Sequence, residues 1–170
     1  MHVIRYFILV LLIGCTVKKT PVIVEKKHIS VQAHYLKSTS FPFVATIPRT
    51  WAMLTPKPMQ RYRYFIYANE GTAEFSLSQL DTLTIDVKAN VDRWRNQLDL
   101  PPLPPHSKIQ STRITTPFGR AEKIFISSKK GRAIKVLILK INDHHYFFKI
   151  MGDRHLVEKT KLPKIEKKNK

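Results

Sequence analysis

One cysteine, five glycines and 12 acidic residues in a chain of 170 set the first limits on this protein. A single thiol cannot close an intramolecular disulfide, and it excludes a cysteine-rich zinc module. The glycines stand at 14, 71, 119, 131 and 152, too sparse for a phosphate-cradling loop or a dinucleotide fingerprint. The apolar run Tyr6-Phe7-Ile8-Leu9-Val10-Leu11-Leu12-Ile13 is eight residues long, whereas a bilayer-spanning helix needs about 20. Acidic residues are outnumbered by 30 lysines and arginines, for a net charge of +18, which directs attention to anionic partners. What is present in quantity is core material: 43% hydrophobic and 10% aromatic residues, enough for one folded domain of this length.

The apolar run follows His2 and Arg5, the layout of a secretory signal. Its end, Leu12-Ile13-Gly14-Cys15, resembles the lipobox of bacterial lipoproteins. The resemblance implies that residues 1–14 are a signal peptide and that Cys15 carries the lipid. Each buried methylene contributes about 0.8 kcal/mol, so two or three acyl chains would hold the chain stably on a membrane. Thr16 is not aspartate, which in the sorting habit of Gram-negative lipoproteins implies the outer membrane, facing the periplasm. Removing residues 1–14 deletes only Arg5 among the charged residues, leaving 29 basic against 12 acidic.

Residues 15–40 read as the lipidated cysteine and a tether, with Lys18, Lys19, Lys26 and Lys27 in no steady period and a short strand at Val22–Val24. From Phe41 the chain alternates: Phe41, Phe43, Ala45 and Ile47 fall on one strand face, and Pro48 ends the run. Trp51 and Leu54 are expected core anchors. Arg61–Tyr67 and Ala73–Leu80 read as a hairpin across Asn69-Glu70-Gly71. The period then becomes helical: Val87, Val91, Trp94 and Leu98 recur between Asp86 and Leu98, with Thr84 as the expected cap and Pro101, Pro102, Pro104 and Pro105 as the stop. Alternation returns in Ile109–Thr116, Arg120–Ser127, Arg132–Ile141 and, after Asn142-Asp143, in His144–Met151. A short helix is expected from about Arg154 to Lys161, and after it a frayed basic tail at 161–170. The fold class is therefore α+β, an antiparallel sheet of about six to seven strands flanked by helices, within a domain at 41–160.

The segment Asn90-Val91-Asp92-Arg93-Trp94-Arg95-Asn96-Gln97-Leu98, with Leu100-Pro101-Pro102 after it, resembles a helix of uncharacterised bacterial exported lipoproteins. That helix reads Asn-Val-Asn-Arg-Trp-Arg-Gly-Gln-Leu-Gly-Leu-Pro-Pro. Ile47-Pro48-Arg49-Thr50-Trp51, the Ala73–Ser76 strand and Tyr146–Asp153, with its Phe-Lys-x-x-Gly element, fit the same group. Such proteins are similar to the PsbP-like superfamily. The resemblance implies a PsbP-like antiparallel sheet with flanking helices and a binding, assembly or accessory role without a common catalytic site. Asp92 departs from the usual asparagine, and Asn96 and Asp99 depart from glycines.

On a helix Asn90, Arg93 and Gln97 share one stripe, with Arg95 further round. A guanidinium with neighbouring amides suits a carboxylate, a phosphate or a peptide backbone, so Asn90, Arg93, Arg95 and Gln97 are the candidate contact residues. The alternative is structural, with Arg93 or Arg95 clamping the helix through a loop carbonyl or an acid. Arg95 is within reach of Asp92 or Asp99. His144 and His145 point to opposite strand faces and cannot readily chelate one ion; no metal and no cofactor is expected. Ser76 and Ser78 share a face but lack a nucleophile elbow, and no carboxylates pair for acid–base work, so no catalytic residue is assigned. Arg61-Tyr62-Arg63-Tyr64 interleaves base and aromatic, yet an export signal leads away from nucleic acid. The expected partners are the membrane, through Cys15, and anionic envelope lipids or polymers or another envelope protein. A binding or scaffolding role at the envelope is the expectation; a periplasmic carrier or enzyme with a site between helix and sheet is the alternative.

Overall fold

The computed structural model describes residues 35–36 (backbone only), 41–81, 83 and 85–168. The expectations for the signal segment 1–14, for Cys15, for the Val22–Val24 strand and for Thr84 lie outside the described residues. The elements are β1 (Tyr35–Leu36), β2 (Phe43–Thr46), β3 (Ala52–Leu54), β4 (Gln60–Ala68), β5 (Gly71–Asp81), α1 (Val87–Asn96), β6 (Thr112–Thr116), β7 (Gly119–Ser127), β8 (Arg132–Ile141), β9 (His144–Asp153), α2 (Arg154–Lys159) and β10 (Lys164–Lys167). Seven strands form one antiparallel sheet in the order β3-β4-β5-β9-β8-β7-β6. With two helices beside it, the chain is α+β and mostly sheet, as the alternation predicts. No helix among the described residues is long and apolar enough to cross a membrane.

Two expectations about the strands are corrected. The Phe41–Ile47 strand does not join the main sheet. It becomes β2, the centre of a second sheet ordered β1-β2-β10, while β3 supplies the seventh strand of the first. The tail is not frayed after Leu162: Lys164–Lys167 pairs antiparallel with β2, placing Ile165 opposite Ala45, and Ile165 is buried to 7% exposure. One isoleucine between charged neighbours, Lys164-Ile165-Glu166, is strand alternation in miniature, with the apolar side chain inward and the charges outward.

Period-2 alternation sorts the main sheet into two faces. Tyr64, Phe75, Leu77, Leu137, Tyr146 and Phe148 face the layer formed by β2, β10 and α2. There Phe43 packs edge-on against Tyr146 with ring centroids 4.9 Å apart, in the geometry that aromatic quadrupoles favour. The opposite face offers Ile124, Ile126, Ile134, Val136, Ile138 and Phe147 to Val91, Trp94 and Leu98 of α1. Trp94 meets Phe147 edge-on at 5.9 Å. The cap of α1 is Asp86, whose carboxylate accepts from the Ala89 amide at 3.1 Å, and not Thr84.

The turns fall where small or Asx residues stand. β8 and β9 meet across Asn142-Asp143, with Asn142 at φ 52°, a left-handed conformation that asparagine tolerates. At the far end of β9, Gly152 opposes Ala73 so closely that a Cβ would lie 2.2 Å from the Thr72 carbonyl oxygen. That glycine belongs to the Phe-Lys-x-x-Gly element, and a close strand approach is the physical reason for it.

Candidate functional site

The apolar stripe of α1 packs on β7, β8 and β9 and meets β5 only at its end, at Leu80, so that the polar stretch of β5 and the neighbouring part of β4 line cavities on that side. On this uncovered part of the face β5 presents Glu74, Ser76 and Ser78, the polar half of its alternation with Ala73, Phe75 and Leu77. A groove results, walled by α1 on one side and by the Lys57–Gln60 turn on the other. It consists of two adjoining cavities of about 460 and 160 Å³ that share Gln60, Ser76, Gln97 and Lys149. The turn wall is held by the Lys57 amide donating to Gln60 Oε1 at 3.0 Å. Met59 in this turn stands at φ 67°, and the β4–β5 register shifts between Gln60 and Tyr62.

Three of the four candidate contact residues line this groove: Asn90, Arg93 and Gln97. Asn90 is buried to 7% exposure; it donates Nδ2 to the Asp86 carbonyl at 2.9 Å and accepts from Arg93 Nη2 at 2.5 Å. Arg93 is thereby held against the groove by a neutral amide. Arg95 points elsewhere: its Nε donates to the Pro101 carbonyl at 2.7 Å, tying the helix end to the proline-rich loop. The pairings open to Arg95 are taken by lysines, since Asp92 meets Lys88 at 2.8 Å and Asp99 meets Lys130 at 2.9 Å. Asp92 also accepts from the Leu103 amide at 2.7 Å, and these two donors lower its pKa. Asp99 stands at φ 56°, which explains a glycine there in the helices it resembles.

Lys149 completes the site and was not among the candidates. It projects from β9 on the same face as Phe147 and Met151, and its Nζ donates to Gln97 Oε1 at 3.1 Å. Burial pushes its pKa down, and Lys57 and Arg93 push it further, against an opposing pull from Glu74. Glu74 is itself held by Arg63 through paired bonds of 2.8 and 2.7 Å, so its pKa is lowered. The signal was visible in the sequence: a lysine between Phe147 and Met151, two apolar residues of one strand face.

The other expectations are also placed. Ser76 and Ser78 line the groove, and neither cavity is lined by a histidine or a cysteine among the described residues. His144 and His145 lie on opposite faces of β9: His144 Nδ1 meets Asp81 Oδ1 at 2.9 Å, and His145 stacks on Phe147. No group of three or more metal-ligating side chains gathers among the described residues.

Neither a protein-family model nor a curated protein matches the chain. Among solved structures it is similar to a crystal structure of a protein from Bacteroides thetaiotaomicron, with 6% identity and a TM-score of 0.39 over 75% of this chain. The match covers 46% of that protein, so the chain spans less than half its length. A likeness at this level assigns neither a fold family nor a function.

Proposed function

We propose that the chain is a lipid-anchored, non-catalytic binding protein of the bacterial cell envelope, whose PsbP-like domain takes an anionic ligand in the groove beside α1. One observation carries the binding reading. Arg63, Lys88, Lys130, Arg154, Lys159 and Lys164 each meet a carboxylate within 2.9 Å, whereas among the described residues Arg93 and Lys149 face the groove with hydrogen bonds to the neutral amides of Asn90 and Gln97, and Glu74, itself held by Arg63, attracts Lys149 without an ion pair. A half-buried ammonium and an exposed guanidinium that lack an ion pair gain from an incoming anion, because charge-assisted bonds are about twice as strong as neutral ones. The motif Leu12-Ile13-Gly14-Cys15 supports the anchor, with the outer membrane facing the periplasm as its destination. The Asn90–Leu98 segment and the Phe-Lys-x-x-Gly element support the PsbP-like assignment, and with it a binding or accessory role.

An enzyme or carrier would use the same groove, and the lowered pKa of Lys149 favours a base there. Against an enzyme, the only carboxylate lining the groove among the described residues is Glu74, already held by Arg63. No acid–base pair remains for proton transfer.

The test uses the full chain in detergent, titrated at low ionic strength with inorganic pyrophosphate and, as neutral control, sucrose. Pyrophosphate should raise the thermal midpoint, sucrose should not, and an Arg93→Gln/Lys149→Met variant shown folded by circular dichroism should lose the response. A pyrophosphate response that survives in the double variant would remove the groove from the proposal. For the anchor, Cys15→Ala should abolish labelling by a palmitate analogue and release the chain from membranes; undiminished labelling would refute it.

A further inference from the structure

We infer that the groove's ligand is an acidic oligosaccharide, several sugar units bearing carboxylate or phosphate groups; the inference rests on the anion-binding reading above. Length is the first argument. The two cavities together follow β9 from Phe147 to Gly152, five residue steps or about 17 Å of strand. A lone phosphate or a single small carboxylate would occupy a fraction of that.

The distribution of charge is the second. Arg93 lines one cavity only, Arg132 and Lys57 line the other only, and Lys149 lies in the part they share. One anionic group cannot meet them all, whereas a chain carrying anions at intervals can. Arg93 and Arg132 offer forked guanidinium donors for planar carboxylates or phosphates, and the lysines offer point charges.

The third argument is what lies between the cations. Ser76, Ser78 and Thr72 supply hydroxyls, Gln60 and Gln97 supply amides, and Glu74 supplies a carboxylate that only accepts. Sugar hydroxyls both donate and accept, so they satisfy all three kinds of group. An acidic peptide would bring its carboxylates against Glu74 and has few donors beyond its backbone. Phe65 and Met151 add apolar patches to the lining, where the C–H face of a sugar ring can rest.

The experiment is calorimetric titration of the full chain in detergent with four probes: tetragalacturonate, phosphorylated maltotetraose, unmodified maltotetraose and tetra-aspartate. At least one acidic tetrasaccharide should bind about tenfold more tightly than tetra-aspartate or unmodified maltotetraose. Lys149→Met and Arg132→Gln, both confirmed folded, should each weaken that binding by about tenfold, while Arg95→Gln leaves it unchanged. Preference for the uronate or for the phosphate ester names the source of the charge, and equal binding of both supports the shared chemistry. Tetra-aspartate binding as tightly as the acidic sugars would overturn the saccharide inference while leaving the anion groove standing. Failure of both acidic tetrasaccharides also overturns it; if pyrophosphate fails as well, the anion-binding reading falls with it.

Discussion

Lys149 sits on the floor of the groove with Phe147 and Met151 beside it on the strand face and one neutral hydrogen bond to Gln97; burial disfavours its charge, Glu74 attracts it, and Lys57 and Arg93 repel it. Methionine matches the length of its stem, suits those neighbours and brings no charge. An unpaired buried polar group costs about 1–3 kcal/mol in mutational data. Lys149 is only partly buried and keeps one bond, so about half that range applies. Lys149→Met should therefore stabilise the fold by about 0.5–1.5 kcal/mol and raise Tm by about 2–6 °C. The pH dependence has a definite sign. Because the folded-state pKa lies below the ordinary lysine value, the native state binds fewer protons than the unfolded chain between the two pKa values. Wild-type stability then rises with pH across that window, and the variant's advantage shrinks there. Urea denaturation of both proteins at neutral pH and in the ordinary lysine range, near pH 10, measures the difference directly. Average substitutions destabilise by about 1 kcal/mol. A loss of that size in Lys149→Met would show that the lysine supports the fold, and an advantage unchanged by pH would show that folding does not lower its pKa; either result would refute the reasoning.

Trp94→Ala should lower stability by about 3–5 kcal/mol in urea denaturation, since the indole is 6% exposed and packed on Phe147; a near-neutral result would move the helix off the sheet. Gly152→Ala should cost about 1–3 kcal/mol, because its Cβ would strike the Thr72 carbonyl and Ala73 across the β5–β9 ladder; a melting curve like the wild type's would mean the strands lie further apart. Ile165→Ala should cost about 2 kcal/mol, the low end for such truncations because β10 is an edge strand. It should also speed amide exchange at 164–167, and unaltered exchange would return those residues to a frayed tail.

How much of this was legible follows from the range over which each signal acts. Strand alternation and turn residues are local, and the β4–β5, β6–β7, β7–β8 and β8–β9 connections are all found where Gly71, Gly119, Gly131 and Asn142 stand. Helix α1 likewise follows from the spacing of Val91, Trp94 and Leu98. Partner choice is not local. Phe41–Ile47 alternates equally well for either sheet, and what places it in the second is the aromatic surface of Tyr62, Tyr146 and Phe148 across the chain. The cap was misplaced for a related reason: Thr84 and Asp86 both suit the role by type, and only backbone geometry distinguishes them. Ile165 escaped because six lysines between 158 and 170 dominate the composition of the tail, while one buried side chain and a four-residue ladder suffice to order it.

The groove shows the same division between local and assembled information. Helical spacing alone brings Asn90, Arg93 and Gln97 onto one stripe, and the structure sets that stripe along the cavity. It also separates Arg95, whose bond to the Pro101 carbonyl is the loop-carbonyl clamp weighed as the alternative role. Arg95 thus has the structural contact, and Arg93 lines the cavity. What periodicity cannot supply is the other wall. β5 turns Glu74, Ser76 and Ser78 to the helix side, while the apolar stripe of α1 packs on β7, β8, β9 and Leu80, a juxtaposition that no motif encodes. Lys149 is the point where the two kinds of information meet. Its strand position puts it on the helix side, and the incomplete cover of that side leaves its ammonium in a cavity rather than in a core. A lysine on a half-covered sheet face is tolerable only beside open space that water or an anion can fill, and this chain has aligned such a space with the arginine of its motif helix.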